Sequence, residues 1–128
     1  MFVGAHFLLY SRDADADRQF LTDVVGLTGV DAGGGWMILG LPPAEIAVHP
    51  GTENFAQRHA GHELMGAVVY LMCDDVHGTI RQLAARGAST SEVETERWGI
   101  RTTVRLPSGG ELGLYQPTHP TAIRRPVA

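Results

Sequence analysis

A chain of 128 residues has room for one domain, and at this size it buries roughly two-thirds of the surface its unfolded form exposes. Its formal charge is −4 and its basic residues are dispersed, so it lacks the basic stripe that neutralises phosphates, and nucleic acid is not an expected partner. No apolar run approaches the roughly 20 residues that cross a bilayer, which excludes a helical membrane span. His6, Tyr10 and Arg12 interrupt the one apolar stretch near the start, so a signal peptide is not expected and the location expected is cytoplasmic. The lone Cys73 has no partner for an internal disulfide and lies in an apolar run, which predicts a buried, inert thiol.

In chain order, Val3 to Tyr10 reads as a strand. Asp13, Asp15 and Asp17 then open a helix whose apolar positions Ala16, Phe20, Val24 and Leu27 recur at helical spacing. The aspartates suit a first turn, where carboxylates cap free N–H groups and meet the positive end of the dipole, and Gly26 is placed to end the helix. Three short strands follow, at Gly29–Ala32, Trp36–Leu41 and Ala44–His49, separated by Gly33-Gly34-Gly35 and Pro42-Pro43.

The order then repeats. Gly66 to Cys73 is strand-like, Asp74-Asp75 opens a second helix carrying Val76, Ile80, Leu83 and Ala84, and Gly87 closes it. Strands at Ser89–Arg97, Ile100–Leu106 and Glu111–Tyr115 follow, with turns at Trp98-Gly99 and Ser108-Gly109-Gly110. His6 precedes Asp13 by seven residues, as Val68 precedes Asp75, and the offset of about 62 residues is too long for a solenoid period. Each half reads βαβββ, a duplicated module: one at about residues 3–49, the other at about 65–116. Residues 50–64, polar and without a clean period, are expected to form a surface loop, and the tail 117–128, with Pro117, Pro120 and Pro126, is expected to be irregular. A tight turn at Trp98-Gly99 would set Glu96 opposite Arg101 and Glu92 opposite Arg105. That face reads as solvated ion pairs of about 0.2–1 kcal/mol each; Val93, Thr95, Arg97, Ile100, Thr102 and Val104 then face pocket or core.

The string His6-Phe-Leu-Leu-Tyr-Ser-Arg-Asp13 with its helix to Leu27, the run Tyr70-Leu-Met-Cys-Asp-Asp75 with its helix to Gly87, and Leu106-Pro-Ser-Gly-Gly-Glu-Leu-Gly-Leu-Tyr115 together resemble the vicinal-oxygen-chelate superfamily. That is the glyoxalase, bleomycin-resistance and extradiol-dioxygenase group, and the resemblance spans residues 3 to 116. It implies an α+β fold in which two βαβββ modules curl one mixed sheet around a cup-shaped pocket. It also implies a homodimer and a small organic ligand, aromatic or cationic, held as family members hold antibiotics that they sequester.

Enzymes of the family carry a divalent metal at the base of the cup, on ligands from the first and last strands of each module. His6 matches the first of those positions, whereas Ala47, Val68 and Gly113 match the others and bring no donor atom. A catalytic divalent site normally has at least three protein ligands, so the reading preferred is metal-independent binding without a cofactor. The pocket wall expected from strand parity is His6, Leu8, Tyr10, Trp36, His49, Tyr70, Trp98 and Tyr115, with Arg97 or Glu111 offering a charge. Phe55 is a further aromatic candidate for the rim. One alternative is a metal-dependent lyase, dioxygenase or epimerase with a displaced Fe²⁺, Mn²⁺, Zn²⁺ or Ni²⁺ site at His6, His49 and Glu111; another is a regulatory or structural module whose cup is filled by its own side chains.

Other patterns carry bland readings. His59-Ala-Gly-His62 is expected to be exposed loop. Asp13-x-Asp15-x-Asp17 lacks the glycine and closing glutamate of a calcium loop, and Gly33-Gly34-Gly35 precedes a strand rather than a phosphate-binding helix start.

Overall fold

A computed structural model describes residues 5–51 and 56–123 of the chain. Both expected helices form. Helix α1 spans Ala14–Asp23 and α2 spans Val76–Ala85. Their N-caps, Asp13 and Asp75, share a φ of −142°, and each carboxylate accepts from the backbone N–H three residues on, Ala16 at 3.2 Å and Gly78 at 3.1 Å. An N-cap carboxylate satisfies a donor that the first turn leaves free. The two modules therefore start their helices by the same device, 62 residues apart. The helix ends also meet at positions related by that offset, where Arg86 donates to the carbonyl of Val24 at 2.6 Å.

Strands β1 (Gly29–Asp31) and β2 (Met37–Leu39) pair antiparallel across the triple-glycine turn. The segment 50–64, expected to be loop, instead contains most of an antiparallel hairpin, β3 (Ala56–His59) with β4 (His62–Met65). Its two-residue turn, Ala60-Gly61, has positive φ at both positions (52° and 81°), the geometry whose twist suits a two-residue hairpin. Strand β5 (Tyr70–Met72) is shorter than the Gly66–Cys73 run suggests. With β6 (Glu94–Glu96), β7 (Gly99–Arg105) and β8 (Glu111–Pro117) it forms a four-stranded mixed sheet ordered β5-β8-β7-β6. Strand β5 runs parallel to β8; the other pairs are antiparallel.

Two expected strands are absent from the described residues. Residues 5–10 and 44–49 carry strand-like sequence but no regular secondary structure. A strand is completed by a neighbour's backbone, and neither segment has one here. The sheets are consequently open rather than curled into a finished cup. Val3, Phe55 and the end of the tail lie outside the described residues; from Thr118 to Ile123 the tail is irregular, as its prolines predict.

The core lies on one face of the four-stranded sheet. Val104, Leu106, Leu112 and Leu114 are buried with Leu83 of α2, and Phe20 and Leu21 of α1 and its C-cap Val24 pack against them beside Val69, Leu71 and Cys73. Burial is the first cause that pushes the Cys73 thiol up, with Asp74 and Asp75 adding to it against a hydrogen bond with Thr79. It stays a thiol, as an inert core cysteine does. Thr102, 1% exposed, satisfies its hydroxyl on the Ser91 carbonyl at 2.8 Å.

One buried carboxylate joins the modules. Asp17 of α1 accepts from Ser11 Oγ at 2.6 Å, from Ser108 Oγ at 2.7 Å and from the Ser108 backbone N–H at 3.0 Å. Burial pushes its carboxyl up, but the hydrogen bonds from Ser108 and Ser11 outweigh that and hold it below its ordinary value. A depressed carboxylate stabilises the fold above the unfolded-state value and loses that contribution as pH falls through the folded one. Asp17→Ala is therefore expected to cost about 2 kcal/mol in urea unfolding at pH 7, and the gap between wild type and variant is expected to shrink below about pH 4. A gap unchanged by acid would contradict this assignment.

Candidate functional site

The sheet's second face carries the candidate site. Register places Tyr70 opposite Gly113 and Met72 opposite Tyr115 across β5 and β8. Across β7 and β8, Arg101 lies opposite Tyr115, Thr103 opposite Gly113 and Arg105 opposite Glu111. Because side chains alternate along a strand, Tyr70, Tyr115, Arg101, Thr103, Arg105 and Glu111 share the face turned away from the helices.

Three aromatic residues meet on it edge to face. Ring centroids lie 5.8 Å apart for Tyr70 and Trp98, 5.5 Å for Tyr70 and Tyr115, and 5.3 Å for Trp98 and Tyr115, with planes 74°, 82° and 69° apart. This is the arrangement that ring quadrupoles favour. Tyr115 is buried, while Tyr70 and Trp98 remain 37% and 38% exposed. The His119 ring stacks on Tyr115 at 6.0 Å, and its Nε2 lies 3.2 Å from the Tyr115 hydroxyl. Burial first, and then the Glu45 carboxylate, push the Tyr115 phenol up, so it stays protonated.

Two glycines make the cluster possible. A Cβ on Gly113 would stand 2.6 Å from Tyr70 Cε1, and one on Gly99 would stand 2.9 Å from Tyr115 Cδ2. Each ring lies flat against backbone where any side chain would obstruct it.

The charged hairpin takes a register different from the one expected. Glu94 pairs with Arg101 and Glu96 with Gly99, so the turn falls at Arg97-Trp98. Gly99 belongs to the strand because the Tyr115 ring needs its bare backbone. Arg101 consequently bridges two carboxylates, Glu94 Oε2 at 2.6 Å and Glu96 Oε1 at 3.0 Å, rather than pairing with Glu96 alone, and Arg105 lies opposite Glu111 instead of Glu92. This charged face is also the aromatic face, so it forms a wall of the site and not a separate solvated surface.

Of the expected wall residues, Tyr70, Trp98 and Tyr115 come together, and Glu111 shares their face with its Oε1 accepting from Thr103 Oγ1 at 2.8 Å. His6 and Leu8 lie on the exposed segment before α1. Tyr10 contacts His59 Nδ1 through its hydroxyl at 2.7 Å. The Trp36 ring faces Arg18, whose Cζ is 5.2 Å from its centroid. His49 Nδ1 lies 2.7 Å from the Pro50 carbonyl, and Arg97 is exposed, its carbonyl accepting from Thr118. Gly99, Gly113, Arg101 and Thr103 complete the site; the parity of Arg101 with Tyr115 across one hairpin was the sequence signal for them.

The metal implied by the resemblance finds a matching donor only at His6 among the four positions. Ala47 and Val68 have none, and the Tyr70 ring fills the space into which a side chain at position 113 would project. Among the described residues no group of three or more His, Cys, Asp or Glu is placed to hold a metal ion. The residues present do not fit such a group.

Gly113→Ala is expected to displace the Tyr70 ring and destabilise the fold by about 1–3 kcal/mol. In the double variant with Tyr70→Ala the obstacle is gone, so the two costs should fall well short of adding. Simple additivity in a urea-unfolding cycle would contradict the contact.

No protein-family model matches the chain, and no curated protein matches it in sequence. Solved structures do. TnmS3, an antibiotic binding protein from Streptomyces sp. CB03234, superposes with a TM-score of 0.59 at 20% identity, covering 92% of this chain and 99% of its own. A glyoxalase/bleomycin resistance protein from the same organism gives 0.51 at 20% identity over 83% and 93%. Lactoylglutathione lyase from Agrobacterium tumefaciens gives 0.55 at 21% identity over 89% and 92%. At such identities the likeness is one of fold: the chain has the fold of these glyoxalase/bleomycin-resistance proteins.

Proposed function

We propose that this protein binds a small organic molecule with a flat aromatic part on the Tyr70–Trp98–Tyr115 cluster, without a metal, and that its role is sequestration rather than catalysis. The observation that carries the reading is the Tyr70 ring lying over Gly113, an aromatic surface at the position where the resemblance puts a carboxylate ligand. Half-exposed rings braced by backbone lose little freedom on binding, and preorganisation of this kind favours affinity. The likeness to an antibiotic binding protein is in keeping with it.

The functional unit proposed is a homodimer. Ile46, Val48 and Val68 are each more than four-fifths exposed, and the segments 5–10 and 44–49 have strand sequence without a strand partner. A second copy supplies that partner and walls the open face.

Two measurements test the reading. Titrating a Trp36→Phe background, in which Trp98 is the remaining tryptophan, with proflavine (a planar cation) and with anthraquinone-2-sulfonate (a planar anion) is expected to give saturable quenching by at least one, unchanged by EDTA. Tyr70→Ala should weaken that binding about tenfold, about 1.4 kcal/mol. Quenching by neither, or quenching that EDTA abolishes, would contradict the proposal. Light scattering should give twice the chain mass, and a monomer mass at micromolar concentration would remove the dimer.

A further inference from the structure

We infer that the same sheet face carries a second subsite, built to take a neutral, hydroxyl-bearing six-membered ring such as a hexose unit, and that the ligand is a flat aromatic group bearing such a sugar. The inference rests on the aromatic platform proposed above for one half of the ligand and on a separate recess for the other.

The recess lies at the far end of β7 and β8. Ser89, Thr90, Ser91, Thr103, Arg105 and Glu111 line a volume of about 170 Å³. That is room for roughly five or six waters at about 30 Å³ each, the space of one six-membered ring with its hydroxyl substituents. The extended segment 89–91 closes one side, held to β7 by Arg105 N–H donating to the Ser89 carbonyl at 3.0 Å and Ser91 N–H donating to the Thr103 carbonyl at 2.9 Å. The Thr103 N–H donates to Ser91 Oγ at 2.9 Å. These bonds fix the wall before any ligand arrives.

The chemistry of the lining selects the ligand class. Arg105 and Glu111 lie opposite each other in register, so the recess contains one cation and one anion. An anionic ligand would meet Glu111 and a cationic one would meet Arg105; a neutral polyol uses both. The guanidinium offers donors in a planar fork, the carboxylate offers acceptors, and serine and threonine hydroxyls serve as either. Adjacent hydroxyls of a sugar ring are donors and acceptors in the same alternation. One oxygen of Glu111 already accepts from Thr103 Oγ1, which aims the carboxylate along the sheet face.

Distance links the subsites. Glu111 and Tyr115 point to the same face four residues apart along β8, a separation of about 13 Å at strand rise. Gly113 lies between them with the Tyr70 ring seated over it, so the aromatic surface itself reaches along β8 toward the recess.

The test uses 4-nitrophenol, the 4-nitrophenyl hexosides of glucose, galactose and mannose, and the three methyl hexosides, each titrated calorimetrically against the full-length protein. At least one nitrophenyl hexoside is expected to bind ten times more tightly than 4-nitrophenol. Arg105→Ala and Glu111→Gln, both at exposed positions, should each erase that advantage while leaving 4-nitrophenol binding unchanged; circular dichroism of the variants checks that they fold. Nitrophenol binding with no hexoside advantage, or an advantage that survives both substitutions, overturns the sugar subsite and leaves the platform standing. Methyl hexosides that bind while nitrophenol does not overturn the platform alone. Binding by none of the seven compounds overturns both.

Discussion

The register of β8 between β5 and β7 is the constraint on which the other features depend. Side chains alternate along a strand, so a slip of one residue would carry Leu112 and Leu114 out to the open face and turn Gly113 and Tyr115 into the core. Three contacts resist that slip. The leucines are buried against both helices. The turn before β8 is closed by Leu106 N–H on the Gly110 carbonyl at 2.8 Å, and Asp17 holds Ser108 within that turn from the other module. Gln116 adds a fourth tie, its side-chain carbonyl accepting from the Val76 N–H at 3.0 Å and so fixing the end of β8 to the start of α2.

With register fixed, the two faces take different work. One is apolar and covered by helices, which supplies the burial that holds the chain together at roughly 25 cal/mol per Å². The other is aromatic at one end and polar at the other, and glycines at 99 and 113 leave room for the rings of Tyr115 and Tyr70 against the backbone. The glycines are what distinguish this face from a metal-binding floor: the position that would project a ligand projects nothing, and a ring occupies the volume. An aromatic platform of this kind needs no ion to orient a ligand, because edge-to-face packing already fixes the rings.

Much of this was legible in the sequence, for identifiable reasons. The helices were readable because Asp13 and Asp75 cap them by local chemistry that requires nothing distant. Strand β7 was readable because the face carrying Thr102 and Val104 is buried, and β8, buried on both faces from Leu112 to Tyr115, was readable as a short apolar run after a glycine turn. The segments 5–10 and 44–49 have the same composition as strands yet form none, since pairing depends on a neighbour that local sequence does not encode. The hairpin at 56–65 escaped notice because both its strands are exposed throughout, leaving no alternation to detect; its one signal was the Ala60-Gly61 turn. The shifted turn at Arg97-Trp98 reflects a tertiary demand, since Gly99 reads locally as a turn residue and is drawn into the strand by the ring of Tyr115. Of the expected pocket wall, Tyr70, Trp98 and Tyr115 assemble with Glu111 on their face, while Arg97 stays apart. Of those on the first module, His6, Leu8, Tyr10 and His49 lie on segments without strand partners, and Trp36 sits at the turn of the β1–β2 hairpin.

The proposed function has this face working through rings and hydrogen-bonding side chains and not through a bound ion. The measurement that meets it most directly is elemental analysis of the protein purified without chelator, followed by the same analysis of His6→Ala. Well under one equivalent of any divalent metal is expected in both. Stoichiometric metal in the wild type that disappears in His6→Ala would contradict it.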